Sequence, residues 1–267
     1  MRNTSGANII NYSVLILRNL LNGRSISELA TLPPTPVLQF WLLGTKEVSE
    51  KEAEFLYKNK AIKIKGDGAA ALAMRAYLME SIYPDVGFNG KDVVDLGANI
   101  GGTPIWFSIN GARQVFAYEP APKAYEQMKE NIRLNRITNI TVENLAVMGK
   151  EGKTTIPSDS CSGGNKTGTG DFEVSAITLK AIVEKYNLND AYLKMNIEGG
   201  EYEILNNSDT ETLRKFKWIA MEYHHGKENI IKRLEPIGFT ISEYVDAKKQ
   251  PNGMITGRIL ATRDKYE

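Results

Sequence analysis

Beyond residue 90 the apolar residues come in short blocks, each closed by a turn or by a stretch of helical period. Val93–Leu96, Gln114–Tyr118, Ile140–Val142, Ala191–Asn196 and Trp218–Tyr223 are near-continuous apolar runs of strand length. Strands buried on both faces of a parallel sheet take this form. Between the runs lie helical stretches: Pro122 to about Leu134, with Tyr125, Met128 and Ile132 on one face, then Val174–Tyr186 and Glu228–Leu234. Two last strands, near Thr240–Val245 and Met254–Thr262, flank the turn Pro251-Asn252-Gly253 and form a terminal antiparallel hairpin. The pattern predicts an α/β domain over 86–267 with a mostly parallel seven-stranded sheet.

The first 85 residues read differently. Ile10, Val14, Leu17 and Leu21 share a helical face, and Ser25–Leu29 forms a short helix stopped by Leu32-Pro33-Pro34-Thr35-Pro36. Val37–Leu43, with Phe40 and Trp41, packs down on the body. Ser49–Tyr57 reads as a helix, with Ser49 as cap and glutamates in its first turn. Ala61–Lys65 alternates Ile and Lys as a half-exposed strand, and Ala69–Tyr83 is a helix rich in Ala, Leu and Met. Residues 1–85 are thus expected to be a mainly helical accessory region, a lid over the site or a homodimer contact. The run Val14–Leu17 is far too short for a membrane span or a signal-peptide core.

Chemistry concentrates in Val93–Glu119. The strand ending Asp95-Leu96 runs into the glycine turn Gly97-Ala98-Asn99-Ile100-Gly101-Gly102. Thr103 and Pro104 suit a helix cap and first turn, and a second strand ends on Glu119. Strand, glycine turn, helix, strand and terminal acid make half of a nucleotide-binding βαβ unit. Asn99 stands where a dinucleotide site needs its middle glycine, which handicaps NAD or FAD but not a ligand without a pyrophosphate. S-adenosylmethionine (SAM) is such a ligand. Asp95 is placed for its cationic amino group, directly or through water, and Glu119, about 20 residues on, for both ribose hydroxyls. The plainer alternative is a helix-capping Asp and a surface Glu.

Composition narrows the classes. The formal net charge of +1 argues against a nucleic-acid or anionic-membrane footprint. One cysteine, Cys161, excludes an internal disulfide framework and fits a reducing cytoplasm. Two histidines and one cysteine do not make a Cys/His zinc cluster, and no metal is expected. Lys150–Gly170, glycine- and serine-rich, reads as a loop or a frayed hairpin.

A second informative stretch is Leu193–Leu205, where an apolar strand delivers Asn196 to its carboxyl end and Glu198 and Glu201 open the next helix. Open α/β sheets bind ligands at that end. The glutamates also have an ordinary reading, as acids that complement a helix dipole. The only two histidines, His224 and His225, follow the fifth core strand. A base with a pKa near neutrality suits removal of a hydroxyl proton. His224 or His225 is the first candidate, with Glu222 orienting it and Glu198 next; two ordinary loop histidines are the alternative.

Val93–Gly102, Tyr118-Glu119-Pro120 and Leu193–Leu205 together resemble the FkbM family of SAM-dependent methyltransferases, over roughly residues 85–225. The resemblance implies a class I Rossmann-like fold, which usually ends in a hairpin, and methylation of an oxygen, often on a sugar or a polyketide-type natural product. By position Asp95, Gly97, Asn99, Gly101 and Glu119 would bind SAM. The loop after the third strand, Glu143 to Ala146, would lie beside the adenine. The chain departs from the family pattern at Asn196, where an aspartate is usual, and at Lys180, where an acid is usual. An amide has no titratable acid form, but Asn196 can still orient a hydroxyl or the ligand's amino-acid end.

These readings converge on a cytoplasmic SAM-dependent O-methyltransferase with a small-molecule or glycan acceptor. A nicotinamide-dependent oxidoreductase shares the βαβ start but not Asn99 or the hairpin. A nucleic-acid methyltransferase would want more positive charge and an amine-methylation motif that is absent after the fourth strand. A non-catalytic SAM-binding protein is the third alternative, motivated by Asn196.

Overall fold

The computed structural model describes residues 45–48, 51–57, 60–66, 89–157, 170–249 and 253–263. The expected helices over Ile10–Leu21, Ser25–Leu29 and Ala69–Tyr83, the segment Val37–Leu43 and the stretch around Cys161 lie outside the described residues. The chain divides into two units, Met1–Ser81 and Ile82–Glu267.

In the first unit the described residues form an antiparallel sheet of β1 (Thr45–Val48), β2 (Glu52–Tyr57) and β3 (Lys60–Lys65). This corrects the helix expected over Ser49–Tyr57 and, for the described residues, the mainly helical character of the extension. The glutamates read as first-turn helix acids are cross-strand partners instead. Glu52 stands opposite Lys65 and Glu54 opposite Lys63, with ion pairs of 3.2 and 3.3 Å. Ala53, Tyr57, Ile62 and Ile64 are buried on the other face, so the period is two. The alternation predicted for β3 is observed.

The second unit is built on β4 (Asp92–Leu96), α1 (Gly102–Ile109), β5 (Gln114–Tyr118), α2 (Pro122–Leu134) and β6 (Ile140–Glu143). A detour follows through β7 (Ala146–Met148), β8 (Gly152–Ile156) and β9 (Phe172–Thr178). The chain then returns through α3 (Leu179–Tyr186), β10 (Ala191–Met195), α4 (Glu201–Asn207), α5 (Thr210–Arg214) and β11 (Phe216–Tyr223). It closes with α6 (Glu228–Leu234), a short 3₁₀ turn, β12 (Thr240–Lys249) and β13 (Ile255–Thr262).

Among the described residues seven strands make the main sheet, in the order β12-β13-β11-β10-β4-β5-β6. Every pair from β11 to β6 is parallel, whereas β13 runs antiparallel to both β11 and β12. This is the mostly parallel sheet with a terminal hairpin that the apolar runs predict. Strands β4 and β10 are buried at every residue. The core joins Leu96, Tyr118, Leu193, Met195, Ile219, Met221, Ile230 and Ile259. On the other face Trp218 takes edge contacts from Phe107 and Tyr192.

Two boundaries differ from the pattern reading. Val174–Thr178 belongs to β9, not to a helix, because it ladders with Thr154 and its neighbours on β8 and with β7. The helix begins only at Leu179, where the Thr178 side chain caps the N–H of Ala181. The residue capping α1 is Gly101, with φ 98°, so Thr103 and Pro104 sit buried inside the first turn.

Candidate active site

The order reverses between β4 and β10, where the chain leaves β4 toward β5 on one side and enters β10 from the other. That switch point is where an open α/β sheet presents its crevice. Two loops meet there: Gly97–Gly101 after β4, and Asn196–Gly200 after β10.

The first loop is closed by backbone donors. Glu119, buried at the end of β5, accepts the N–H of Asn99 at 2.8 Å and that of Ala121 at 2.9 Å, one on each oxygen. Asn99 is left-handed (φ 50°), and its side-chain oxygen takes the N–H of Ile100. Burial raises the pKa of Glu119, opposed by those two N–H groups and by the charge of Lys194. Gly97 must be glycine: a Cβ there would stand 2.0 Å from the carbonyl oxygen of Asn196. Gly101 rests against Met128, and buried Asn131 donates to the Ile100 carbonyl at 2.8 Å, tying α2 to the turn.

Asp95 lies beneath the turn. It is wholly buried, with Oδ1 2.7 Å from the Lys194 ammonium and Oδ2 without a hydrogen-bond partner among the described residues. Lys194 also donates to the carbonyls of Leu96 and Gly97. Neither Lys194 nor Asn131 stands out in the sequence. A lysine inside a continuous apolar strand is the signal that could have found the first.

After β6, Glu143 is engaged by Lys185 and Tyr186, and Asn144 donates to the carbonyls of Glu119 and Pro120, both at 2.9 Å. Ala146 is enclosed in β7, so Asn144 and Leu145, both half-buried, are the part of this loop that remains open.

The second loop is strained and charged. Glu198 is left-handed (φ 57°), directly followed by Gly199 at φ 105°. For a non-glycine residue this costs of order 1 kcal/mol and marks functional loops. The Asn196 Oδ1 atom is buried with no hydrogen-bond partner among the described residues. Glu198 keeps 27% of its side chain exposed, with Oε2 3.4 Å from His224 Nε2. On the other side of the imidazole, Glu201 Oε1 lies 3.2 Å from Nδ1. Burial pulls the His224 pKa down, but Glu201, Glu198 and Glu222 outweigh it and the net shift is upward.

His224 is therefore enclosed between two carboxylates, with 3% of its surface exposed. His225 is exposed, and its Nε2 faces Gly199. Glu222, expected to orient a histidine, instead holds Arg258 at 3.0 Å. Tyr202 accepts the N–H of His225 and donates to the Gly226 carbonyl, binding the histidine loop to α4. Burial pushes its hydroxyl up to about 12.

The residues present suit SAM. Each Glu119 oxygen keeps a free lone pair after its one N–H, enough for a ribose diol. The Asn196 oxygen, without a hydrogen-bond partner among the described residues, can take an ammonium. Among the described residues no three His, Cys, Asp or Glu side chains are grouped to hold a metal. None of the described helices is long and apolar enough to cross a membrane.

The crevice is where the cofactor of a SAM-dependent methyltransferase domain would sit. Residues 95–245, more than half of the chain, match the family described as "Methyltransferase FkbM domain", and the chain belongs to that family. No curated protein matches it. Among solved structures it is similar to M. jannaschii TYW2 in complex with AdoMet, at 19% identity over 82% of this chain and 89% of that one, with a TM-score of 0.45. It is similar to an rRNA methylase from Streptococcus thermophilus, at 10% identity over 73% and 96% of the two chains, TM-score 0.44. A third likeness is to M. capricolum TrmK in complex with S-adenosyl-homocysteine, at 16% identity over 71% and 68%, TM-score 0.46.

Proposed function

We propose that this protein methylates a hydroxyl group of a small molecule or glycan, working in the cytoplasm, with Glu198 as the base. The observation that carries the reading is the position of Glu198. It is the part-exposed carboxylate of a strained loop, one strand away from the turn that Glu119 closes.

SAM, when bound, supplies an electrophilic methyl group on a sulfonium. Glu119 would hold the ribose, the N–H-rich turn from Gly97 to Gly101 the adjoining atoms, Asn196 the ammonium, and Asn144 with Leu145 the adenine edge. Glu198 would take the proton that the acceptor hydroxyl sheds as its oxygen bonds the methyl carbon and the C–S bond breaks, leaving a neutral thioether. A carboxylate is basic enough, because the hydroxyl proton becomes strongly acidic as that bond forms. The aspartate absent at position 196 is then not required for proton removal. A net charge of +1 supports a small acceptor over a nucleic acid, and the single cysteine supports a reducing compartment.

The test is transfer of a labelled methyl group from SAM to a panel of sugars, glycosides and phenols, with Glu198→Gln alongside. Transfer to a hydroxyl, reduced on the order of 100-fold in the variant, is the expected result. Transfer only to amines or RNA, or NAD binding in place of SAM, would overturn the reading.

A further inference from the structure

Glu201 is the most enclosed acid of the second loop, with no exposed surface, yet only one of its oxygens is hydrogen-bonded. Its Oε1 accepts the N–H of Ile197 at 3.0 Å, and its Oε2 is buried with no hydrogen-bond partner among the described residues. A carboxylate in that position is tolerated only if a cation offsets it. The basic group it faces is the His224 imidazole, 3.2 Å away, itself 3% exposed. The opposite ring nitrogen looks at Glu198.

We propose that Glu201 and His224 are positioning residues that hold Glu198 in place: an imidazolium clamped between a buried carboxylate and the working one. The proposal rests on the assignment of Glu198 as the base. Glu201 holds the loop through the Ile197 N–H and through its 3.2 Å charge contact with His224 Nδ1, which makes no hydrogen bond among the described residues. Tyr202, the next residue of α4, keeps the grip from opening by pinning His225 and Gly226. The charged groups facing His224 are Glu201 from α4, Glu198 from the β10–α4 loop and Glu222 from β11. Arg258 of β13 pairs with the last of these, leaving the two clamping carboxylates as its main counter-charges. The upward pKa shift of His224 agrees with this arrangement.

With two histidines in the chain, ¹⁵N-edited NMR of the imidazoles reads the clamp directly, and His225→Asn assigns the signals. At pH 6.5, where a free imidazole is half protonated, His224 should be mostly doubly protonated in the native protein. Glu201→Gln, which keeps the Ile197 contact and loses the charge, should bring it below half. Glu198→Gln, at a part-exposed position and so safe for folding, should lower it by a smaller step. A native His224 that is neutral at pH 6.5, or one unmoved by both substitutions, would overturn the clamp. Titration of the same samples with S-adenosylhomocysteine separates the two ideas. An unmoved His224 with ligand binding intact sinks the clamp alone; an intact clamp in a native protein that binds no ligand sinks the methyltransferase reading alone.

Discussion

The loops after β4 and β10 lie side by side at the same end of one sheet, yet they are built by opposite means. The β4 loop is made of backbone. Its polar contacts are N–H groups of Asn99, Ile100 and Ala121 turned onto Glu119 and onto the Asn99 side chain. The β10 loop is made of side chains. Glu198, Glu201 and His224 come from three elements, and the backbone is strained to bring them together. A cofactor common to a whole superfamily needs one shape of cradle, which glycines and a single acid can specify. The base proposed here needs charges at set distances, which only the folded chain can assemble.

Among the contacts that join these regions, breaking either of two should produce the largest effects. Lys194→Met strands the buried Asp95 carboxylate and removes a donor from the carbonyls of Leu96 and Gly97, so a loss of about 3–5 kcal/mol of stability is expected. Thermal and urea unfolding measure it. Gly97→Ala forces a methyl group onto the Asn196 carbonyl at a positive φ and should cost about 3 kcal/mol, moving both loops at once. If either variant unfolds like the native protein, the two regions are not coupled through the β4–β10 seam.

Smaller changes should act on the β10 side alone. Tyr202→Phe removes the hydroxyl that satisfies the His225 N–H and the Gly226 carbonyl. A loss of about 1–2 kcal/mol is expected, with S-adenosylhomocysteine affinity unchanged. The pH dependence of stability sharpens the contrast further. The folded-state pKa of His224 is raised above its unfolded value of 6.5, so its contribution is complete below pH 6.5 and fades as pH rises through the folded pKa. Native and His224→Asn proteins should thus differ most in stability near pH 6 and converge toward alkaline pH, measured by urea unfolding across the range.

The same division explains what the sequence made legible. Glycines, an acid at the end of a strand and apolar runs of strand length are local signals, and they located the sheet, the hairpin, the β4 turn and Glu119. The helix expected over Ser49–Tyr57 failed because glutamates suit a helix N-terminus as well as a strand facing lysines. Only the pairing of Glu52 with Lys65 and of Glu54 with Lys63 decides between the two. The pairing of Asp95 with Lys194 was hidden because the two are distant in sequence. The enclosure of His224 was hidden for the same reason: the chain separates it from Glu198 and Glu201.

The most direct test of this division is calorimetric titration of S-adenosylhomocysteine into the native protein, Glu119→Ala and Glu198→Gln. Glu119→Ala should lose on the order of 100-fold in affinity, the value of two hydrogen bonds to a charged acceptor. Glu198→Gln should bind within a few-fold of the native protein while its methyl transfer falls on the order of 100-fold. Equal losses in both variants, or full affinity in Glu119→Ala, would contradict the separation of cradle from base.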